Sequence, residues 1–179
     1  VGSIWTGVFA TVPGLLLLFL LTDVLGVTAW LAALILVVPK AWDVVLNPIV
    51  GSASDREAVR TGHRTRLLMV GALGVPVAFA LMFAVPTSGL GAAAWVTVMF
   101  VAAASAYACF QVPYAALPTE MSPHERQRTR AVAWRMVALT VGILLSGGVA
   151  PAIVNALGKG RSAYTAMGVV IALVLLAAM

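Results

Sequence analysis

The chain has 179 residues, of which 62% are hydrophobic and only 9% charged, with a mean hydropathy of +1.05. Soluble domains carry about 25% charged residues, so these charges are too few to cover a water-facing surface. Lipid is the expected solvent, and a soluble enzyme is excluded. The net charge of +5 does not point to nucleic acid, because seven of the eleven basic residues fall in two short segments, Arg56 to Arg66 and Arg126 to Arg130.

A membrane-spanning helix needs about 20 mostly apolar residues. Six runs qualify, roughly Ile4–Leu21, Thr28–Val50, Leu67–Val85, Ala92–Pro118, Ala131–Leu157 and Ser162–Met179. They are long, continuous and rich in Leu and Ala, unlike the alternating ten-residue strands of a membrane barrel. The predicted fold class is therefore all-α and integral to a membrane. Val1 stands almost directly before the first run and Met179 lies inside the sixth, which predicts a fragment of a longer polypeptide. The first run shows neither a basic leader nor a small-residue cleavage site, so no signal peptide is expected.

Basic residues concentrate in cytoplasmic connections. The connections expected over 51–66 and 119–130 hold four and three Arg, whereas the turns on the other side hold only Lys159 and Arg161. The Arg-rich connections, and the N-terminus with them, are thus predicted in the cytoplasm of a multi-pass cell-membrane protein. Trp5, Trp30 and Trp95 fall near helix ends and suit interfacial anchoring. Cys109 is the lone cysteine, which excludes an internal disulfide or a Cys-based zinc cage.

Three charges lie inside apolar runs: Lys40, Asp43 and Arg135. Each costs about 2.5–3.5 kcal/mol at a helix centre and normally faces a bundle interior or a water-filled cavity. Lys40, Asp43 and Asn47 are spaced i, i+3 and i+7, which stacks them on one face of the second helix. Pro39 and Pro48 bracket this stripe and free backbone carbonyls beside it. A carboxylate here can take a sodium ion or a proton. Alternatively, Asp43 and Lys40 simply neutralise one another. Gln111, Tyr114 and Arg135 fall at a comparable depth to Asp43, and Trp42 stands beside it, so all are candidate cavity residues. Gly142, Ser146 and Ala150 give the fifth helix a small-residue face for a tight crossing. No nucleophile–base pair is legible, and His63 and His124 lie in separate connections, so no enzyme is expected.

The string Ala41-Trp42-Asp43-Val44-Val45-Leu46-Asn47-Pro48-Ile49-Val50-Gly51, followed by Asp55-Arg56, resembles the second helix and following loop of the glycoside–pentoside–hexuronide:cation symporters. These form the melibiose-carrier branch of the major facilitator superfamily. Thr22 to Gly26, Gln111-Val112-Pro113-Tyr114 with Leu117 to Glu120, and Glu125-Arg126 with Arg130 and Trp134-Arg135 resemble further stretches of the same family in order and spacing. The resemblance implies a twelve-helix transporter of two six-helix halves, this chain being the N-terminal one. It would comprise two inverted three-helix repeats, 1–86 and 87–179, and lack the C-terminal half that completes the cavity. It further implies a cation or proton site at Asp43 and Asn47, with Na+ or H+ as coupling ion and no other cofactor. A small solute, a sugar or another organic molecule, would meet Lys40, Trp42, Gln111, Tyr114 and Arg135. Gly51, Asp55, Arg56, Arg64, Arg66, Glu120 and Arg126 would form a conformational latch.

The departures bear on substrate and coupling. The family pattern has a second Asp where this chain has Asn47, and often an Asn where it has Leu46. Sugar-type members also carry an Asp where Gly7 stands, an Asp where Gln111 stands and a Trp where Ala115 stands, while Arg135 matches. A melibiose-like sugar is therefore disfavoured. Lipid-carrying relatives show a similar Gln-Val-Pro-Tyr string, which keeps an amphipathic solute open. Cation- or proton-coupled symport by alternating access is the leading expectation. An uncoupled facilitator or exporter and a non-transporting truncated scaffold are the alternatives.

Overall fold

The computed structural model describes residues 2–61, 65–121, 125–158 and 160–177, apart from the side chains of residues 2–4, 61, 116–121, 125–128 and 131. All the elements among these residues are helical: α1 (Gly2–Val12), two π-helical segments π1 (Pro13–Leu17) and π2 (Leu20–Val24), α2 (Ala29–Thr61), α3 (Thr65–Phe83), α4 (Gly89–Met121), α5 (Glu125–Ala156) and α6 (Arg161–Ala177). Five described stretches are long and apolar enough to cross a membrane: Trp5–Val24, Ala29–Arg60, Thr65–Phe83, Gly89–Ala115 and Val132–Ala156. The sixth apolar helix, Arg161–Ala177, is shorter.

Several helix boundaries differ from the sequence expectation: α4 runs through Met121 and α5 starts at Glu125, so most of the connection expected over 119–130 is helical, and two further differences have local causes. The first span widens into π turns from Pro13 onward. Proline has no N–H to donate and its ring crowds the preceding turn; widening the turn relieves both problems. The second difference is at the end of α2, which continues through Gly51–Thr61, most of the connection expected over 51–66. Asp55, Arg56, Glu57, Ala58 and Arg60 contain no helix breaker, and the next glycine in sequence is Gly62. Pro39 and Pro48 sit inside this helix without interrupting it.

The three weakly charged turns gather at one end of the bundle. The first closes by a left-handed Gly26 (φ 69°), with Val27 N–H donating to Leu21 O at 2.8 Å, a wide closure that continues the π turns before it. Gly89 N–H then donates to Leu25 O at 3.1 Å, and the Arg161 guanidinium donates to Thr87 O. These contacts tie the π2–α2, α3–α4 and α5–α6 turns together.

Packing pairs α1 with α5, α2 with α4, and α3 with both α4 and α6. Trp5, Leu17, Leu20, Leu21, Phe79, Met82, Phe83 and Met167 are fully buried between them. Close crossings are set by small residues. A Cβ on Gly71 would stand 2.5 Å from Phe110 N and 2.6 Å from Ala106 O on α4, and one on Gly7 would collide with Leu139 O on α5. The Gly142–Ser146–Ala150 face of α5 is buried as expected. Trp5 departs from the expected interfacial role: it is fully buried and stacks on Tyr107, centroids 5.8 Å apart. Trp30, by contrast, is 67% exposed. Val37, Val38, Val44, Val45 and Ile49 on α2, and Val137, Val141, Leu144 and Leu145 on α5, are also exposed. Such a run of bare aliphatic side chains would be costly against water and costs nothing against hydrocarbon.

Candidate functional site

A cavity of about 300 Å³ opens among α1, π1, α2 and α4. Its apolar wall includes Phe9, Pro13, Leu36, Phe100 and Ala104, and its polar groups are Lys40, Asp43 and Tyr107. Lys40 and Asp43 reach it together because three residues span most of a helical turn. The two are near enough to interact electrostatically. Asp43 is half-buried, and its Oδ1 is sealed from the surface with no hydrogen-bond partner in the structure. A carboxylate oxygen sealed away without a donor is costly, and a proton, a cation or a solute donor would relieve it.

Tyr107 is the hub of the polar groups. Its hydroxyl is within electrostatic range of Asp43 on one side and of Arg135 on the other, and it shares a hydrogen bond with Thr6. Thr6 Oγ1 also lies 3.3 Å from Gln111 Oε1, to which it can donate. One turn further on, Tyr114 stacks against Phe110 at 5.2 Å, and the Arg135 guanidinium lies over the Tyr114 ring, 5.0 Å from its centroid. A cation held against a ring face gains from the ring quadrupole, most where water is excluded. The ring pairs Trp5–Phe110 at 4.4 Å and Phe9–Tyr107 at 4.6 Å complete an aromatic wall between α1 and α4.

The structure thus brings Lys40, Asp43, Gln111, Tyr114 and Arg135 around one region, linked through Tyr107 and Thr6. Asn47 is exposed and does not line the cavity. Trp42 does not line it either: its indole N–H donates to Ser105 Oγ at 2.9 Å, pinning α2 to α4. Gly7 cannot carry the carboxylate that sugar-type carriers place there, because the α5 backbone occupies the space.

Of the residues expected in a latch, Gly51 is half-buried beside Val112, Asp55 is exposed, and Arg56 and Arg66 line a separate recess. Arg64 lies outside the described residues, as do the side chains of Glu120 and Arg126. Phe9, Pro13, Gly14, Thr6, Ser105 and Tyr107 escaped the sequence reading. Tyr107 alone had a signal, since Tyr107, Gln111 and Tyr114 follow the i, i+4, i+7 spacing of one helix face.

An all-helical bundle with a partly charged cavity sunk among apolar spans is the arrangement of a membrane transport protein. The whole chain, residues 1–179, matches the family described as MFS/sugar transport protein, and the chain belongs to that family. It is 29% identical over 146 residues (81% of the chain) to YagG of Escherichia coli strain K12, which is named as a glycoside/cation symporter. It is 30% identical over 136 residues (75% of the chain) to the sodium-dependent lysophosphatidylcholine symporter 1-A of Danio rerio. A symporter of Synechocystis, sll1374, is 28% identical over 152 residues, 81% of the chain. The alignments cover 32%, 26% and 28% of these three relatives' own lengths. The resemblance to the glycoside–pentoside–hexuronide:cation symporters therefore stands, and the family consists of multi-pass membrane transporters, not enzymes.

Proposed function

We propose that this chain is the N-terminal six-helix half of a secondary transporter that couples solute uptake to a cation or proton gradient by alternating access. The observation that carries this reading is the orphaned Oδ1 of Asp43 in a cavity shared with Lys40 and Tyr107. Asp43 is the coupling residue. It is the lone carboxylate on the cavity wall among the described residues, and with Asn47 outside the cavity a sodium ion would find few oxygen ligands there, which favours proton uptake. Asn47 lies a turn away and joins the site only if α2 moves.

Lys40, Gln111, Tyr114 and Arg135 are the proposed solute contacts, with Trp42 positioning α2 against α4. Their aromatic wall suits a small organic solute with an apolar face, a sugar derivative or an amphipathic molecule. Gly51, Asp55, Arg56, Arg64, Arg66, Glu120 and Arg126 are the proposed latch at the cytoplasmic end of a plasma-membrane protein. The gathering of the weakly charged turns at the opposite end supports that orientation. Exchanging each helix with the one three further along turns the α1–α5 pair into α4–α2 and leaves α3–α6 in place, while the close α3–α4 pair has only a slight counterpart between α6 and π2; the first two correspondences support the 3+3 repeat. A C-terminal half and the bilayer are the proposed partners.

The deciding experiment is solute uptake by the full-length protein in proteoliposomes, with imposed sodium and proton gradients compared. Accumulation driven by one gradient and lost in Asp43→Asn is the expected result. Equilibration indifferent to both gradients would favour the uncoupled facilitator, with Lys40 as the permanent counter-ion of Asp43.

A further inference from the structure

About 20 Å along α2 from Asp43, by helical rise, a recess of 670 Å³ lies between the end of α2 and the start of α3. It is lined by Ala53, Arg56, Glu57, Arg60, Arg66 and Leu67. Its volume falls within the roughly 300–1,000 Å³ of small-molecule sites. Arg56 and Arg60 stand one turn apart on a single face of α2, and Arg66 belongs to the first turn of α3. The lining carries three guanidiniums against one carboxylate. Glu57 Oε1 accepts the backbone N–H of Arg66 at 2.9 Å, tying the two walls together, and its charge leaves the lining at a net +2. The unforeseen helical extension of α2 beyond Val50 is what places Arg56 and Arg60 opposite Arg66.

The height of the recess is informative, given that the helices span a bilayer. The apolar stretch of α2 ends near Val50, and Arg56 follows about 9 Å further along the axis. The headgroup layer adds about 5–8 Å beyond each face of the hydrocarbon core, so the Ala53 end of the recess lies within that layer and Arg56 at its outer edge. Guanidinium forks match phosphate oxygens with paired hydrogen bonds, and Ala53 and Leu67 offer an apolar wall for the glycerol side of a lipid.

We infer that this recess is a binding site for an anionic phosphate group, carried either by a phospholipid headgroup or by a free phosphate. An occupant would neutralise Arg56 and Arg66, two of the proposed latch residues, and bridge α2 to α3.

The test is native mass spectrometry of the detergent-solubilised full-length protein, titrated with phosphatidylglycerol and with phosphatidylcholine, whose phosphate is already balanced by its choline. Inorganic phosphate is then added as competitor. Phosphatidylglycerol is expected to bind more tightly than phosphatidylcholine. Arg60→Gln should weaken that preference about fivefold, and Arg56→Gln with Arg60→Gln should remove it. Arg130→Gln, an exposed arginine on α5 outside the recess, should leave it intact. Displacement by millimolar phosphate would identify a free phosphate as the ligand, and resistance to it would identify the headgroup. Equal binding of the two lipids together with no binding of phosphate would overturn the inference, and so would a preference that survives the double substitution. Uptake by the Asp43 site is a separate readout, so failure here would leave the transport reading standing.

Discussion

Gly7→Ala places one methyl group where the α5 backbone already stands. Its Cβ would collide with Leu139 O and would lie 3.0 Å from Ile143 N and 3.3 Å from Gly142 C. These obstacles are main-chain atoms of a helix, which cannot swing aside as the tip of a flexible side chain can. Overpacking of this kind costs about 1–3 kcal/mol, and a backbone obstacle belongs at the upper end. Against it stands the intrinsic preference of a helix interior for alanine over glycine, about 1 kcal/mol. The net expectation is a loss of about 2 kcal/mol, read as reduced stability in detergent denaturation of the full-length protein. Gly148→Ala is the matched control. It lies in α5 with open space around it, so only the propensity term remains and the protein should become slightly more stable. If Gly7→Ala proved as stable as Gly148→Ala, the α1–α5 crossing would not be as close as described. The same geometry predicts that Gly7→Asp cannot restore the helix 1 carboxylate of the sugar-type carriers.

Gly14 borders the Asp43 cavity with nothing within 4 Å of a built Cβ. Gly14→Leu should therefore fold normally, judged by its elution in gel filtration, while filling the cavity and suppressing uptake. Removing the guanidinium in Arg135→Gln abolishes the contact with Tyr114, whereas Tyr114→Phe keeps the ring. Uptake should fall far more in the first than in the second, and equal losses would argue against a cation–ring contact. Trp42→Phe removes one interhelical hydrogen bond, to Ser105. In membrane interiors such bonds average about 0.6 kcal/mol, so stability should drop by less than the Gly7 substitution, with coupling retained. Pro13→Ala restores an N–H donor to π1; amide hydrogen exchange over residues 13–17 should slow as the wide turn tightens.

Membrane residence and the all-helical class were legible in the sequence, because each follows from local composition. Twenty apolar residues in a row specify a span wherever they occur, and the i, i+3 spacing of Lys40 and Asp43 fixes a shared face before any tertiary contact forms. The small face of α5 was legible for the same reason. Which side chains meet across helices was not. Trp5 and Trp30 look alike near helix ends, yet one sits in the core against Tyr107 and the other faces outward, because α1 is enclosed by α4 and α5 while the start of α2 is bare. Trp42 and Asp43 are adjacent in sequence but diverge by about 100° around the helix, so one pins α4 and the other reaches the cavity. Tyr107 as hub, Gly7 as a contact and the recess between α2 and α3 were set only when separate helices were brought together. Local pattern determines how each segment meets lipid; the crossing of helices, governed by where small residues let backbones approach, decides which polar groups share a cavity.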